Sequence, residues 1–274
     1  MSARLRAVAR ETERIVSEGE YRASDGRRVS IAAAVEAARA GTRMFGPEPV
    51  AVPPLPPVDT LFEVTGEDSL TAARRTAGPV AVLDFASARN PGGGYLNGAK
   101  AQEEDLCRSS ALYTCLLQAR EFYEHHRSRV DPFYTNRVIH APAVPVFRDH
   151  RGRLLDEPFT AGFLAAAAPN AGVVMRVSPY HSPELVYALI MRAERVLETA
   201  AAHGYRGLVL GAWGCGVFRN DPVRVAAAFR AALGPGGRFA GTFEHVVFAV
   251  LDRTPGTVVR AAFEQAFPVP RFPA

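Results

Sequence analysis

Two short stretches of this chain carry residue types able to do chemistry together. The first, VLDFASARNPGGGYLNGAKAQEEDL, spans residues 82–106. Gly92, Gly93 and Gly94 lack the Cβ that keeps a ligand off the backbone, so their N–H groups can approach an anion closely. Seven residues further on stand Gln102, Glu103 and Glu104, at the start of a helix whose apolar positions are Leu112, Cys115, Leu116 and Ala119. Paired carboxylates in a first helical turn complement the helix dipole, a gain of about 0.3–1 kcal/mol each. Directly after a triple-glycine loop they offer a second reading, in which a phosphate and a carboxylate meet in the same crevice. The second stretch, LVLGAWGCGVFRNDP, spans residues 208–222. Gly211, Gly214 and Gly216 again expose backbone, and Asp221-Pro222 opens a helix whose N-terminus favours negative charge. A diphosphate suits such a loop, and Trp213 and Phe218 either cover a sugar or a base or belong to a structural turn whose aromatics fill the core.

The elements that must position these loops follow from periodicity. Strands are expected at Thr60–Val64, Val80–Phe85, Arg137–His140, Val173–Val177, Leu208–Leu210 and His245–Val250, several of them continuous apolar runs of the kind buried on both faces. Helices fall between them, including Pro183 to Ala202 and one capped by Asp221. This alternation predicts a three-layer α/β/α sandwich around a mixed, largely parallel sheet. Ligands of open α/β sheets bind at the carboxyl ends of the strands, where both glycine loops lie. Residues 1–58 read as an N-terminal extension: an amphipathic helix, a hairpin turning at Asp25-Gly26, a second helix from Ile31 to Ala40, and the Pro-rich GPEPVAVPPLPPV, either a linker or a strap packed on the surface. Residues 59–274 read as the main domain.

Composition narrows the function classes. A 48% hydrophobic content with a net charge of +4 excludes a mainly disordered chain. No run of 18 apolar residues predicts a membrane span, and the charged opening MSARLRAVARETERIV lacks a secretory core. Cys107, Cys115 and Cys215 have no zinc-ligand spacing and form no disulfide framework, so a reducing cytoplasm is expected. The basic residues are arginines with a single lysine, Lys100, scattered without a block of like charge. Sequence-specific nucleic-acid binding is therefore not expected. His125-His126 reads as a solvated helix end, His140 as a core histidine, and Tyr180-His181 as pocket border or helix cap. Cys215 lacks an evident base and is not expected to be a nucleophile.

The GGG run, seven intervening residues and QEE resemble the signature of poly(ADP-ribose) glycohydrolases, and GAWGCGVF resembles that family's diphosphate-binding loop. The resemblance covers roughly residues 59–252, is of the bacterial type, and implies a macrodomain-like fold. It implies Glu104 as the catalytic acid/base, Glu103 as the residue binding the reacting ribose, and Gln102 as the residue shaping the loop. Gly92, Gly93 and Gly94 would meet the ribose and diphosphate. Gly214, Cys215, Gly216 and Val217 would form the second diphosphate clamp, with Phe218 over the ribose next to the scissile bond. Ser87 or Asn90 would hold the distal ribose, and Glu67 would contact adenine. No cofactor or metal is implied. The expected partners are poly(ADP-ribose) or ADP-ribosylated proteins, the expected state a monomer, and the expected setting the reversal of ADP-ribosylation in the DNA damage response. A non-catalytic ADP-ribose reader, a mono-ADP-ribosyl hydrolase and, more remotely, a nucleotide phosphoesterase are the alternatives.

Overall fold

A computed structural model describes residues 2–268 of the chain. In chain order its first half runs α1 (Ala3–Glu18), β1 (Glu20–Arg22), β2 (Arg28–Ser30), α2 (Ala32–Gly41), β3 (Arg43–Phe45), β4 (Leu61–Thr65), α3 (Ser69–Arg75), β5 (Val80–Phe85), α4 (Gln102–Ser109), α5 (Leu112–Leu116) and α6 (Arg120–Arg127). The rest runs β6 (Val138–Arg148), β7 (Leu154–Ala166), α7 (Ala171–Val177), α8 (Glu184–Ala202), β8 (Gly207–Leu210), α9 (Pro222–Leu233), β9 (His245–Ala249) and α10 (Val258–Ala266). The main sheet has seven strands in the order β3-β6-β7-β5-β8-β9-β4. β5, β8, β9 and β4 pair in parallel, whereas β3-β6 and β6-β7 are antiparallel. The fold is the mixed α/β class expected, with the antiparallel share larger than the strand spacing suggested. Among the described residues no helix is long and apolar enough to cross a membrane.

Two compact units divide the chain. The first comprises residues 1–46, 84–130 and 137–167. Its β1–β2 hairpin turns at Asp25-Gly26 as the sequence predicts, with Gly26 at φ 84°. The long β6–β7 hairpin was not expected beyond His140. Proline is disfavoured inside a strand, yet a bulge between Ala141 and Val144, with Ala143 at φ 45°, absorbs Pro142, and Pro145 sits opposite Thr160. The single helix expected around Leu112 and Ala119 is three helices. The break after α4 falls at Ser110, which leaves the helix to make a strand bridge with Val146.

The second unit comprises residues 47–83, 131–136 and 168–274. Its Pro-rich segment is a strap: Val50 N–H donates to the buried Glu198 carboxylate at 3.0 Å, and Val58 N–H to the Gly241 carbonyl at 2.8 Å. Residues 173–177, expected as a strand, lie in helix α7. Asn170 caps it, its side chain accepting the Val173 N–H at 3.1 Å, and this local hydrogen bond outweighs the β-propensity of the Val-Val pair. Helix α9 begins as predicted, with Asp221 accepting the Val223 N–H at 2.9 Å and Pro222 in the first turn.

Candidate active site

Within the first unit, the carboxyl end of β5, the glycine loop and the start of α4 assemble one buried carboxylate cluster. β5 is apolar until Asp84, which is fully buried. The loop then turns through Gly92 and Gly93, both in the left-handed region at φ 65° and 58°. At Gly93 the glycine is required twice over: a Cβ there would lie 2.5 Å from Glu104 Oε1 and 3.0 Å from Glu103 Oε2.

The first turn of α4 supplies the three residues that the spacing singled out. Gln102 accepts the Phe85 N–H at 2.9 Å and so ties the helix start to the end of β5. Glu103 is 4% exposed and accepts the Ser87 N–H on Oε2 at 2.8 Å. Glu104 is 8% exposed and accepts the Gly94 N–H on Oε1 at 2.8 Å. Among the described residues, Glu103 Oε1, Glu104 Oε2 and both Asp84 carboxylate oxygens are buried without a hydrogen-bond partner. Buried polar atoms are normally paired, so orphans gathered in one place mark a site whose partner arrives from outside.

The cluster also holds protons. Burial pushes the Asp84 carboxyl well above its ordinary range, and the Glu104 charge adds to the effect. Glu103 is raised by burial and then by the Asp84 charge, against the pull of the Ser87 and Gly92 backbone N–H groups. Carboxyl groups this close and this dry do not all ionise together. Sequence reasoning passed over Asp84; its signal was a single acid closing an otherwise apolar strand.

Ser87 Oγ accepts the Asn90 N–H at 3.2 Å, and the Asn90 carbonyl accepts the Gly93 N–H at 3.0 Å, so both residues shape the glycine loop. Tyr95, next to Gly94, points into the core. It is buried, and its hydroxyl donates to α1, reaching Glu13 at 2.9 Å. His126 is a core residue against Phe122 rather than a solvated helix end, because α6 buries that face. His125 bonds Arg137 at 3.1 Å, and His140 is buried as expected.

In the second unit, Gly214 turns in the left-handed region at φ 69°, and a Cβ there would meet Asn220 Nδ2 at 2.5 Å. Asn220 braces the loop by donating to the Pro169 carbonyl at 2.8 Å and the Gly214 carbonyl at 3.2 Å. Gly216 and Val217 are exposed and Phe218 half-buried. Trp213 does not face a ligand. It is 1% exposed and packs toward Phe229, because a side chain of that size at the root of the loop fills the core. The Cys215 thiol is pushed up to about 12 by burial, with Asp221 adding to the effect, which suits a packing residue and not a nucleophile. Phe218 instead pairs with Tyr134, ring centroids 5.8 Å apart. Tyr134 lies in the 131–136 loop, unflagged by the sequence, which Arg192 of α8 anchors through the Phe133 carbonyl at 2.8 Å. Glu67 is bonded to Arg75 at 2.6 Å beside the α3 N-cap Asp68, so in this structure its carboxylate serves an ion pair.

Comparison with known proteins gives the chain a family. A family model described as the microbial-type PARG catalytic domain matches residues 9–149, slightly more than half of the chain. The crystal structure of poly(ADP-ribose) glycohydrolase from Thermomonospora curvata is 46% identical, with a TM-score of 0.91 over 97% of this chain and 100% of that one. The same protein bound to the inhibitor ADP-HPD gives a TM-score of 0.90 at the same identity and coverage. The Deinococcus radiodurans enzyme in complex with ADP-ribose is 45% identical, with a TM-score of 0.79 over 85% of this chain and 97% of that one. No curated protein matches the chain. With a buried GGG–QEE cluster, a matching family model and full-length structural neighbours, the chain belongs to the microbial-type poly(ADP-ribose) glycohydrolases.

Proposed function

We propose that Glu104 is the general acid/base of this poly(ADP-ribose) glycohydrolase, acting on the ribose–ribose O-glycosidic bond to release ADP-ribose. One observation carries the assignment: Glu104 Oε1 is pinned by the Gly94 N–H while Oε2, equally buried, has no partner among the described residues. A carboxyl fixed at one oxygen and open at the other is placed to pass a proton. In the first step it protonates the leaving ribose oxygen as the C–O bond breaks through an oxocarbenium-like state. In the second it takes a proton from the water that adds to the same carbon, which restores the acid. Glu103 binds the reacting ribose. Gln102 and Ser87 hold the loop that presents the Gly92–Gly94 backbone, and Gly214–Phe218 contribute the second diphosphate contacts and the aromatic cover. The proton-retaining environment around Asp84 and Glu103 supports a cluster that enters the reaction with protons on board. The diphosphate of the substrate assists by countering positive charge on the ribose. Three free thiols fit a reducing cytoplasm as the place of work.

Glu104→Gln keeps the shape and removes the proton. Polymer hydrolysis is expected to fall by at least about 10²–10⁴-fold, with free ADP-ribose still binding within a few-fold of the parent, read by product release and calorimetry. Parent-rate turnover by the variant would refute the assignment. Parallel assays on polymer and on singly modified protein separate glycohydrolase from mono-ADP-ribosyl hydrolase activity, and a pure reader would release nothing from either.

A further inference from the structure

A groove of the second unit lies beside the second loop and takes no part in the roles above. Met175, Leu185 and Leu189 floor it, Arg219, Asp221 and Arg224 rim it, and its cavity is about 230 Å³. Arg219 stands in the left-handed region at φ 58°, a conformation that strains an L-residue and suits glycine. The loop uses glycine freely at 211, 214 and 216, yet carries arginine at this turn. The turn is fixed from both sides. The Phe218 carbonyl accepts the Gly172 N–H at 2.9 Å, and the Arg219 stem lies so close over Gly172 that a Cβ there would meet its Cδ at 3.1 Å. Among the described residues no hydrogen bond or ion pair engages the exposed Arg219 guanidinium. Arg224 approaches Asp221 only at 3.9 Å, and that carboxylate also caps α9 through the Val223 N–H. Two cations thus face one carboxylate, and the rim is left net positive over an apolar floor.

The reading of Phe218 gives this groove an occupant. Phe218 is assigned to the ribose at the scissile bond, and across that bond lies the adenosine of the next unit, followed by its diphosphate. We propose that Arg219, aided by Arg224, binds the diphosphate of the unit beyond the scissile bond, so that the groove is the subsite for the part of the polymer that leaves. The proposal rests on the glycohydrolase reading above. A turn that cannot drift keeps the Arg219 stem beside the aromatic, and its unengaged guanidinium is a bidentate donor open to an oxyanion.

The test compares binding, so it does not depend on turnover. In a Glu104→Gln background, affinity for a short oligomer of ADP-ribose and for free ADP-ribose is measured with and without Arg219→Gly. The expected result is oligomer binding weakened about 3- to 10-fold, free ADP-ribose binding within twofold, and a thermal midpoint equal or higher because glycine relieves the turn. Arg219→Lys recovers part of the loss, and added salt narrows the gap. Unchanged oligomer affinity, or an equal loss for monomer and oligomer, overturns the subsite. Polymer turnover by the unmodified chain reports separately on the glycohydrolase reading, and its failure would leave the binding comparison still able to decide.

Discussion

Asp84 shows how one residue can be costly and still make sense. Its carboxylate is fully buried, and neither oxygen has a hydrogen-bond partner among the described residues. Burial and the neighbouring Glu104 charge raise it, so it folds in its neutral form. A raised folded value means that the group contributes its stabilisation in full below the unfolded value, near 3.9. The contribution is lost as pH rises through the folded value. Asp84→Asn removes that loss while keeping the shape. The variant is therefore expected to gain on the parent by roughly 1–3 kcal/mol near pH 7.5 and by little near pH 4. Denaturant unfolding of both proteins at the two pH values reads the difference directly. An equal difference at both would show that Asp84 is ionised in the fold. What it provides is a proton: a neutral carboxyl beneath the glycine loop sits beside Glu103 without adding a second buried charge.

At the scale of elements, what the sequence revealed depended on whether the deciding interaction was local. The Asp221-Pro222 helix start, the Asp25-Gly26 turn and the apolar strands β5 and β9 are settled by neighbours within a few residues, and all are legible. So were the QEE start of α4 and the glycine turn before it. The β6–β7 hairpin was not, because its prolines are accommodated by a bulge and by a partner strand that single-sequence patterning does not reveal. The 131–136 loop was illegible for a similar reason: its anchor comes from mid-α8. Arg192 is 2% exposed and pushed down to about 9 by burial, with Asp131 and Tyr134 acting against the shift. A buried guanidinium is tolerated because it satisfies the Phe133 carbonyl and meets Asn136 Oδ1 at 3.4 Å. Replacing it by Leu relieves the buried charge but strands the carbonyl, a cost of about 1–3 kcal/mol. The two effects oppose each other globally and not locally. Arg192→Leu is therefore expected to leave overall stability within about 2 kcal/mol while amides of 131–136 exchange at least tenfold faster. Exchange at the parent rate would mean that the Phe133 side chain and the Asn170 N–H, which bonds the Pro132 carbonyl at 2.7 Å, hold the loop without it.

At the scale of the molecule, the N-terminal arm reads in the sequence as an accessory, and its first unit gives it a larger part. Thr12 of α1 is fully buried, donates to the Arg108 carbonyl at the end of α4 at 2.8 Å and accepts Arg148 Nε at 3.1 Å. Glu11 adds an ion pair to Arg148 at 2.9 Å. The Tyr95 hydroxyl reaches Glu13 and the Ala9 carbonyl, and Tyr95 follows directly on Gly94, whose N–H holds Glu104. α1 thus braces both ends of the segment that carries the acid: the glycine turn through Tyr95 and the close of α4 through Arg108. Removing residues 1–19 would expose Tyr95, strip the Arg148 guanidinium of Thr12 and Glu11, and free the turn that fixes Glu104. The deletion also removes the fully buried Ile15, whose side-chain burial alone is worth about 1.5–3 kcal/mol, a sizeable share of a typical domain's stability of about 5–15 kcal/mol. The truncated chain is therefore expected to lose its cooperative thermal transition, or to melt far below the parent, and to lose polymer hydrolysis. Circular dichroism and a turnover assay on the same preparation check both. Tyr95→Phe gives the milder version: a fold that survives, a loss of about 1 kcal/mol, and a fall in kcat larger than any change in KM, because the turn that loosens holds the proton carrier. A truncated chain that melts cooperatively and hydrolyses polymer at the parent rate would make α1 an appendage after all.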